Sequence, residues 1–252
     1  KTYFFDPIAE KLENKGHQIY WIVQNHDFLP KIGDLKVIPY PSKKVAGIDK
    51  KVDLSPILES DRQLNFFAQK DTDYFYYYYQ QILIAIEDIN PDFVFGESTV
   101  FHELLTSKIC KDKGILYLHP SSCRYPVERF SFYKYDSVEP YLGSNEVLDN
   151  IAGYKIIDSI VNRSSSPDYM KKVKMSRGKI LKDKLKILKG YYSGEKYNTP
   201  SPIVKYTIEK QKKNNIVVWN SASTQKIDKD TFSVLYPLHL QPIFLFELQD
   251  LQ

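Results

Sequence analysis

Apolar and polar positions alternate regularly over the first half of the chain and more weakly after it. Phe5, Ile8 and Leu12 share one face of a helix predicted over Phe4–Lys15, and Gly16 supplies the left-handed residue that ends it. Ile19-Tyr20-Trp21-Ile22-Val23 is an unbroken β-rich run, the pattern of a strand buried on both faces. Val37-Ile38 is a short strand closed by Pro39 and Pro41. Leu54–Ile89 is helical over most of its length, with Phe75, Tyr79, Ile82 and Ile86 in one stripe. That stripe reads as a helix packed on a sheet, with a substrate platform as the alternative. Asn90-Pro91 stops it.

The chain is organised around the segment that follows. Asp92-Phe93-Val94-Phe95 predicts a strand, Gly96-Glu97-Ser98-Thr99 leads into a helix ending at Lys113-Gly114, and Ile115-Leu116-Tyr117-Leu118 predicts a second strand. Strand, helix, strand is one βαβ unit. Polar groups gather just past both strand ends, where open parallel sheets bind ligands. The expected fold class is therefore α/β, a Rossmann-like parallel sheet flanked by helices.

Beyond Tyr133 the signal weakens. Asn145–Ile160 holds a candidate helix, and Arg163-Ser164-Ser165-Ser166-Pro167 is a break. Asp168–Lys189 reads as a basic amphipathic helix, with Leu181, Leu185 and Leu188 on one face. A solvated helix bridging two domains is the preferred reading; peripheral contact with an anionic membrane is the alternative. Pro200-Ser201-Pro202 starts a helix to Lys213, ended by Asn214-Asn215. Ile216-Val217-Val218-Trp219 resembles a strand or extended linker, and Phe232–Tyr236 a further strand. The expected organisation is a Rossmann-like domain over 1–160, a helical basic linker over 161–215 and the start of an incomplete domain over 216–252. The chain opens on a helix where such domains usually open on a strand, so a preceding strand is expected outside it.

Composition narrows the classes. A hydrophobic fraction of 42% and a charged fraction of 26% over 252 residues fit an ordinary globular protein. A net charge of +4 is too mild to imply nucleic acid, and no nucleic-acid partner is expected. Cys110 and Cys123 form neither a disulfide framework nor a zinc pattern, which fits a reducing compartment. The scattered histidines offer no metal-ligand spacing, and no glycine-rich phosphate loop or Gly-x-Ser-x-Gly elbow is present. No metal and no cofactor are expected.

Glu97 stands at a strand end ahead of a helix start. Partial burial would suit it to general-base work; the helix dipole pulls the other way, and a glutamate satisfied by backbone amides is the competing reading. His102, one turn on, faces either the cleft or solvent. His119 is grouped with Glu97 as catalytic, orienting a substrate hydroxyl or phosphate, against a structural imidazole bonded to backbone. Arg124 and Arg129 carry forked donors suited to carboxylates and phosphates, against pairing with Glu128 or Asp136. His239 and Gln241 sit in a loop stiffened by Pro237 and Pro242 and are candidates to share one ligand.

Tyr236-Pro237-Leu238-His239-Leu240-Gln241-Pro242 resembles the PLHxQPE signature of bacterial capsular-polysaccharide glycosyltransferases. The opening Lys1–Val23 and Arg124-Tyr125-Pro126-Val127-Glu128-Arg129-Phe130 are also similar to that group. The resemblance implies a GT-B architecture of two Rossmann-like domains and transfer of a sugar from a nucleotide-sugar to a surface glycan or lipid-linked acceptor. It implies Glu97 as base on the acceptor hydroxyl, and His239 and Gln241 at the donor phosphates. It also implies a cytoplasmic location, with the inner face of the plasma membrane as the site of any peripheral contact. Ile243 stands where the signature has Glu, and Phe244–Leu248 departs from the family, so a truncated chain is expected. A non-catalytic glycan-binding module and a nucleotide-sugar epimerase or hydrolase are the alternatives.

Overall fold

The computed structural model describes residues 2–24, 30–41, 48–67, 69–123, 129–162, 164 and 176–222. The chain forms two compact units, Lys1–Val204 and Lys205–Gln252. The first is α/β: helices surround two small sheets.

Helix α1, Thr2–Glu13, matches the expected stripe: Ala9 is buried, and Phe5, Ile8 and Leu12 are half-buried. It ends at Gly16, whose φ of 88° is the left-handed value expected. Strand β1, Tyr20–Val23, pairs in parallel with β2, Asp34–Val37. The expectation that β1 is buried on both faces does not hold. Tyr20 is exposed and Trp21 to Val23 are half-buried; β1 belongs to a two-stranded sheet and not to the interior of a larger one.

The helical region over Leu54–Ile89 resolves into α2 (Ser55–Ser60), α3 (Arg62–Asn65) and α4 (Asp73–Ile89). Helix α4 buries Tyr74, Phe75, Tyr78, Ile82, Ala85 and Ile86. Tyr78, rather than Tyr79, completes the stripe. The tyrosine run is core packing: Tyr74 and Tyr78 both meet Phe101 edge-on, with centroids 5.1 and 5.3 Å apart. Asn90 closes α4 with φ 49°, its N–H donating to the Ile86 carbonyl at 2.8 Å.

The central βαβ unit is present. Strand β3, Phe93–Phe95, leads through α5, Phe101–Asp112, to β4, Leu116–Ser122, and β3 and β4 are parallel. Helix α5 packs between α4 and β4, and Leu105, Ile109 and Cys110 join Tyr117 in the core. The expected single parallel sheet is corrected in two respects. β1 and β2 form a sheet of their own, and β4 runs on past Leu118 to pair antiparallel with β5, Phe130–Lys134.

Pro120 explains the change of partner. Residue 117 of β4 and residue 123 just past it bond across to 135 and 129, so odd positions face β5. Leu118 faces β3, its carbonyl accepting from the Gly96 N–H at 3.0 Å. Position 120 therefore also faces β3, and proline offers no N–H to continue that ladder. The parallel pairing stops there while the antiparallel pairing continues.

After β5 come α6 (Asn150–Val161), α7 (Arg177–Ser193), a 3-10 turn (Glu195–Tyr197) and α8 (Pro202–Ala222). Asp149 caps α6, accepting from the Ala152 N–H at 2.7 Å, and Ser176 caps α7 through the Lys179 N–H at 3.3 Å. Ile216–Trp219, expected to be extended, lies inside α8, which does not end at Asn214-Asn215. This β-branched run satisfies its backbone within the helix. The predicted strand Phe232–Tyr236 lies outside the described residues.

Candidate functional site

The point where β3 and β4 part company is the most distinctive local geometry among the candidates. Gly96 is the last residue of the β3 ladder, and Glu97, half-buried, is the first residue beyond it. Tyr117, buried on β4, holds this turn: its Oη donates to the Glu97 carbonyl at 2.5 Å. The ring lies directly over Gly96, where a Cβ would stand 2.1 Å from Oη. Only a residue without a side chain fits there. Burial, reinforced by the nearby Glu103, Cys110 and Glu97, pushes the Tyr117 phenol well above its ordinary value of 10.0. It is therefore a fixed donor.

Past Glu97, the N-terminus of α5 is already occupied by the chain's own carboxylate. Glu103 Oε2 accepts from the Thr99 N–H at 3.0 Å, the Thr99 hydroxyl at 3.1 Å and the Val100 N–H at 3.1 Å. A glutamate satisfied by helix-end amides is thus present at Glu103, three residues into α5. The Val100-x-x-Glu103 spacing carries half of the capping-box signal, the trace of this cap in the sequence. His102 sits in the first helical turn, half-buried, edge-on to Phe101 at 5.3 Å.

His119 lies within β4, not beyond its end as expected. Its Nδ1 lies 2.6 Å from the Tyr135 carbonyl, and its ring stacks on Tyr133, its cross-strand partner, at 5.7 Å. A protonated Nδ1 donates to that carbonyl and leaves Nε2 as the acceptor in the neutral ring. This is the backbone-bonded imidazole set out as the alternative. Alternation along β4 puts His119 on the same face as Tyr117. The parallel register, extended by one residue, sets Gly96 beside His119, where β3 ends and β4 continues.

Arg129 is placed elsewhere. Its carbonyl accepts from the Cys123 N–H, four residues on from His119 and just past the end of β4, or about 13 Å at the rise of a strand. Its guanidinium makes a two-pronged contact with Glu146, Nη2 to Oε1 at 2.9 Å and Nη1 to Oε2. That hydrogen-bonded pairing raises Arg129 above and lowers Glu146 below their ordinary values. Among the described residues Glu146, rather than Asp136, is the partner, and Glu128 lies outside them. Arg124, His239 and Gln241 lie outside the described residues.

Among the described residues no group of His, Cys, Asp and Glu is arranged to hold a metal ion. One open concavity, of about 770 Å³, runs along α7 beside Lys182, Leu185, Lys186 and Lys189, and none of the candidates above lines it. Compared with family models, with curated proteins and with solved structures, the chain matches none.

Proposed function

We propose that the chain is the acceptor-side portion of a GT-B glycosyltransferase that moves a sugar from a nucleotide-sugar to a bacterial capsular or surface polysaccharide. The observation that carries the reading is the divergence of β3 and β4 at Gly96 and Pro120. It leaves the half-buried Glu97 at a strand end, outside the sheet ladder, with its main chain tied down by Tyr117. The resemblance around Pro237–Pro242 supplies the reaction class.

In this reading Glu97 takes the proton from an acceptor hydroxyl as the oxygen attacks the anomeric carbon and the nucleotide leaves. The Tyr117 bond fixes the backbone from which the carboxylate projects, and preorganisation of that kind supplies much of a catalytic rate. His119 presents Nε2 and orients the acceptor. The resemblance assigns His239 and Gln241 to the donor phosphates. The test is nucleotide release by the full chain with a panel of nucleotide-sugars and a capsular oligosaccharide acceptor. Glu97→Gln should lower turnover by about 10²-fold or more with donor affinity kept. Unchanged turnover in that variant removes Glu97 as base. Nucleotide release without acceptor shifts the assignment to a hydrolase.

A further inference from the structure

The exposed apolar side chains on α7 require an explanation, because the helix buries none of its leucines. At 3.6 residues per turn, Leu181, Leu185, Leu188 and Tyr192 fall within an arc of about 60°. They remain 62%, 58%, 40% and 75% exposed. Lys184 borders this arc on one side, and Lys182 and Lys189 on the other. Lys179, Lys186 and the helix's one acid, Asp183, occupy the opposite side.

We propose that α7 docks on an anionic phospholipid surface, with the leucine stripe in the headgroup–acyl boundary and the bordering lysines at the phosphates. Charge complementarity selects this occupant: an apolar arc flanked by cations, with its acid turned away, matches an interface that is apolar beneath and anionic above. Long lysine stems let the ammonium groups reach the headgroups while their methylenes lie along the apolar layer. A second copy of the helix would bring the two lysine borders together in mutual repulsion. A nucleic acid would use the lysines and leave the leucines in water. The helix lies on the surface rather than spanning it, since no helix among the described residues is long and apolar enough to cross a membrane. This proposal stands independently of the sugar-transfer reading.

The experiment is sedimentation of the full chain with vesicles of phosphatidylglycerol and phosphatidylcholine in equal parts, and with phosphatidylcholine alone. Binding to the anionic vesicles should exceed binding to the neutral ones by about tenfold or more and should fall with added salt. Lys182→Gln with Lys189→Gln should weaken it about 25-fold, about fivefold per charge. Leu185→Ser with Leu188→Ser should weaken it about tenfold or more at unchanged charge. Circular dichroism checks both variants. If the leucine pair loses structure, the lysine pair, whose parent side chains are solvated, decides the matter. Equal binding to both vesicles, no binding, or full binding by a folded leucine variant overturns the proposal. So does a dimer that the leucine variant dissolves in the absence of vesicles.

Discussion

Replacing Gly96 by alanine would put a methyl group where the Tyr117 phenol already lies. A Cβ built at Gly96 stands 2.1 Å from Oη, 2.8 Å from Cζ and 3.2 Å from Cε2. Tyr117 is 1% exposed and packs among α5 side chains, so the ring has no outward path. Overpacking of this kind costs about 1–3 kcal/mol, and displacing the ring also forfeits its bond to the Glu97 carbonyl, worth about 1 kcal/mol. The sum is about 2–4 kcal/mol, a large share of a stability of about 5–15 kcal/mol. For a unit of this size a loss of about 3 kcal/mol lowers Tm by about 6–12 °C. Tyr117→Phe alone should cost about 1 kcal/mol. In the double variant the closest clash disappears with Oη while the Cζ contact remains. The double loss should therefore fall short of the summed single losses by about 1 kcal/mol or more, read from urea melts. Additivity within about 0.5 kcal/mol would refute the reasoning. So would a stabilised Gly96→Ala, the outcome expected if only unfolded-chain entropy mattered.

Three further outcomes are expected. The Tyr74 and Tyr78 hydroxyls are buried without a hydrogen-bond partner among the described residues, so Tyr78→Phe should raise stability by about 1 kcal/mol; a loss of that size in urea unfolding would reveal a partner. Burial holds Tyr74, Tyr78 and Tyr117 above the ordinary 10.0 and pushes the Cys110 thiol from 9.0 up to about 12. Raised folded values mean that the unfolded chain loses these protons first, so stability is complete below about pH 9 and should fall as pH rises above it, a trend a urea-midpoint series against pH checks. Iodoacetamide on the native protein should modify the exposed Cys123 and spare the buried Cys110, and equal labelling in a peptide map would contradict the packing of α5.

Local chemistry was enough to read much of the first unit. Helix stripes show through period, as with Ile82 and Ile86; helix ends show through Gly16 and Asn90, whose backbones take the left-handed form their residue types permit. The βαβ unit from Phe93 to Leu118 was legible for the same reason: two short apolar runs on either side of a helical stretch leave few alternatives. The same rules misread Ile216–Trp219, because β-propensity is set by context and these residues continue a helix already under way from Pro202.

The strand end ahead of Glu97 was legible in the sequence, and the partners of the candidate residues were not. Glu97 follows β3, whereas His119 lies inside β4, and nothing in their residue types reveals that Tyr117 holds the carbonyl of one or that Tyr135 takes the ring nitrogen of the other. Arg129 finds Glu146, 17 residues away, because the turn after β5 brings that loop back. Pro120 marks the division most clearly. Sequence alone makes it a residue without an N–H, and hence an expected strand end. Which ladder loses a bond depends on the side to which position 120 points. The pairing of β4 with β5 decides that, leaving β4 intact and ending only its bond with β3.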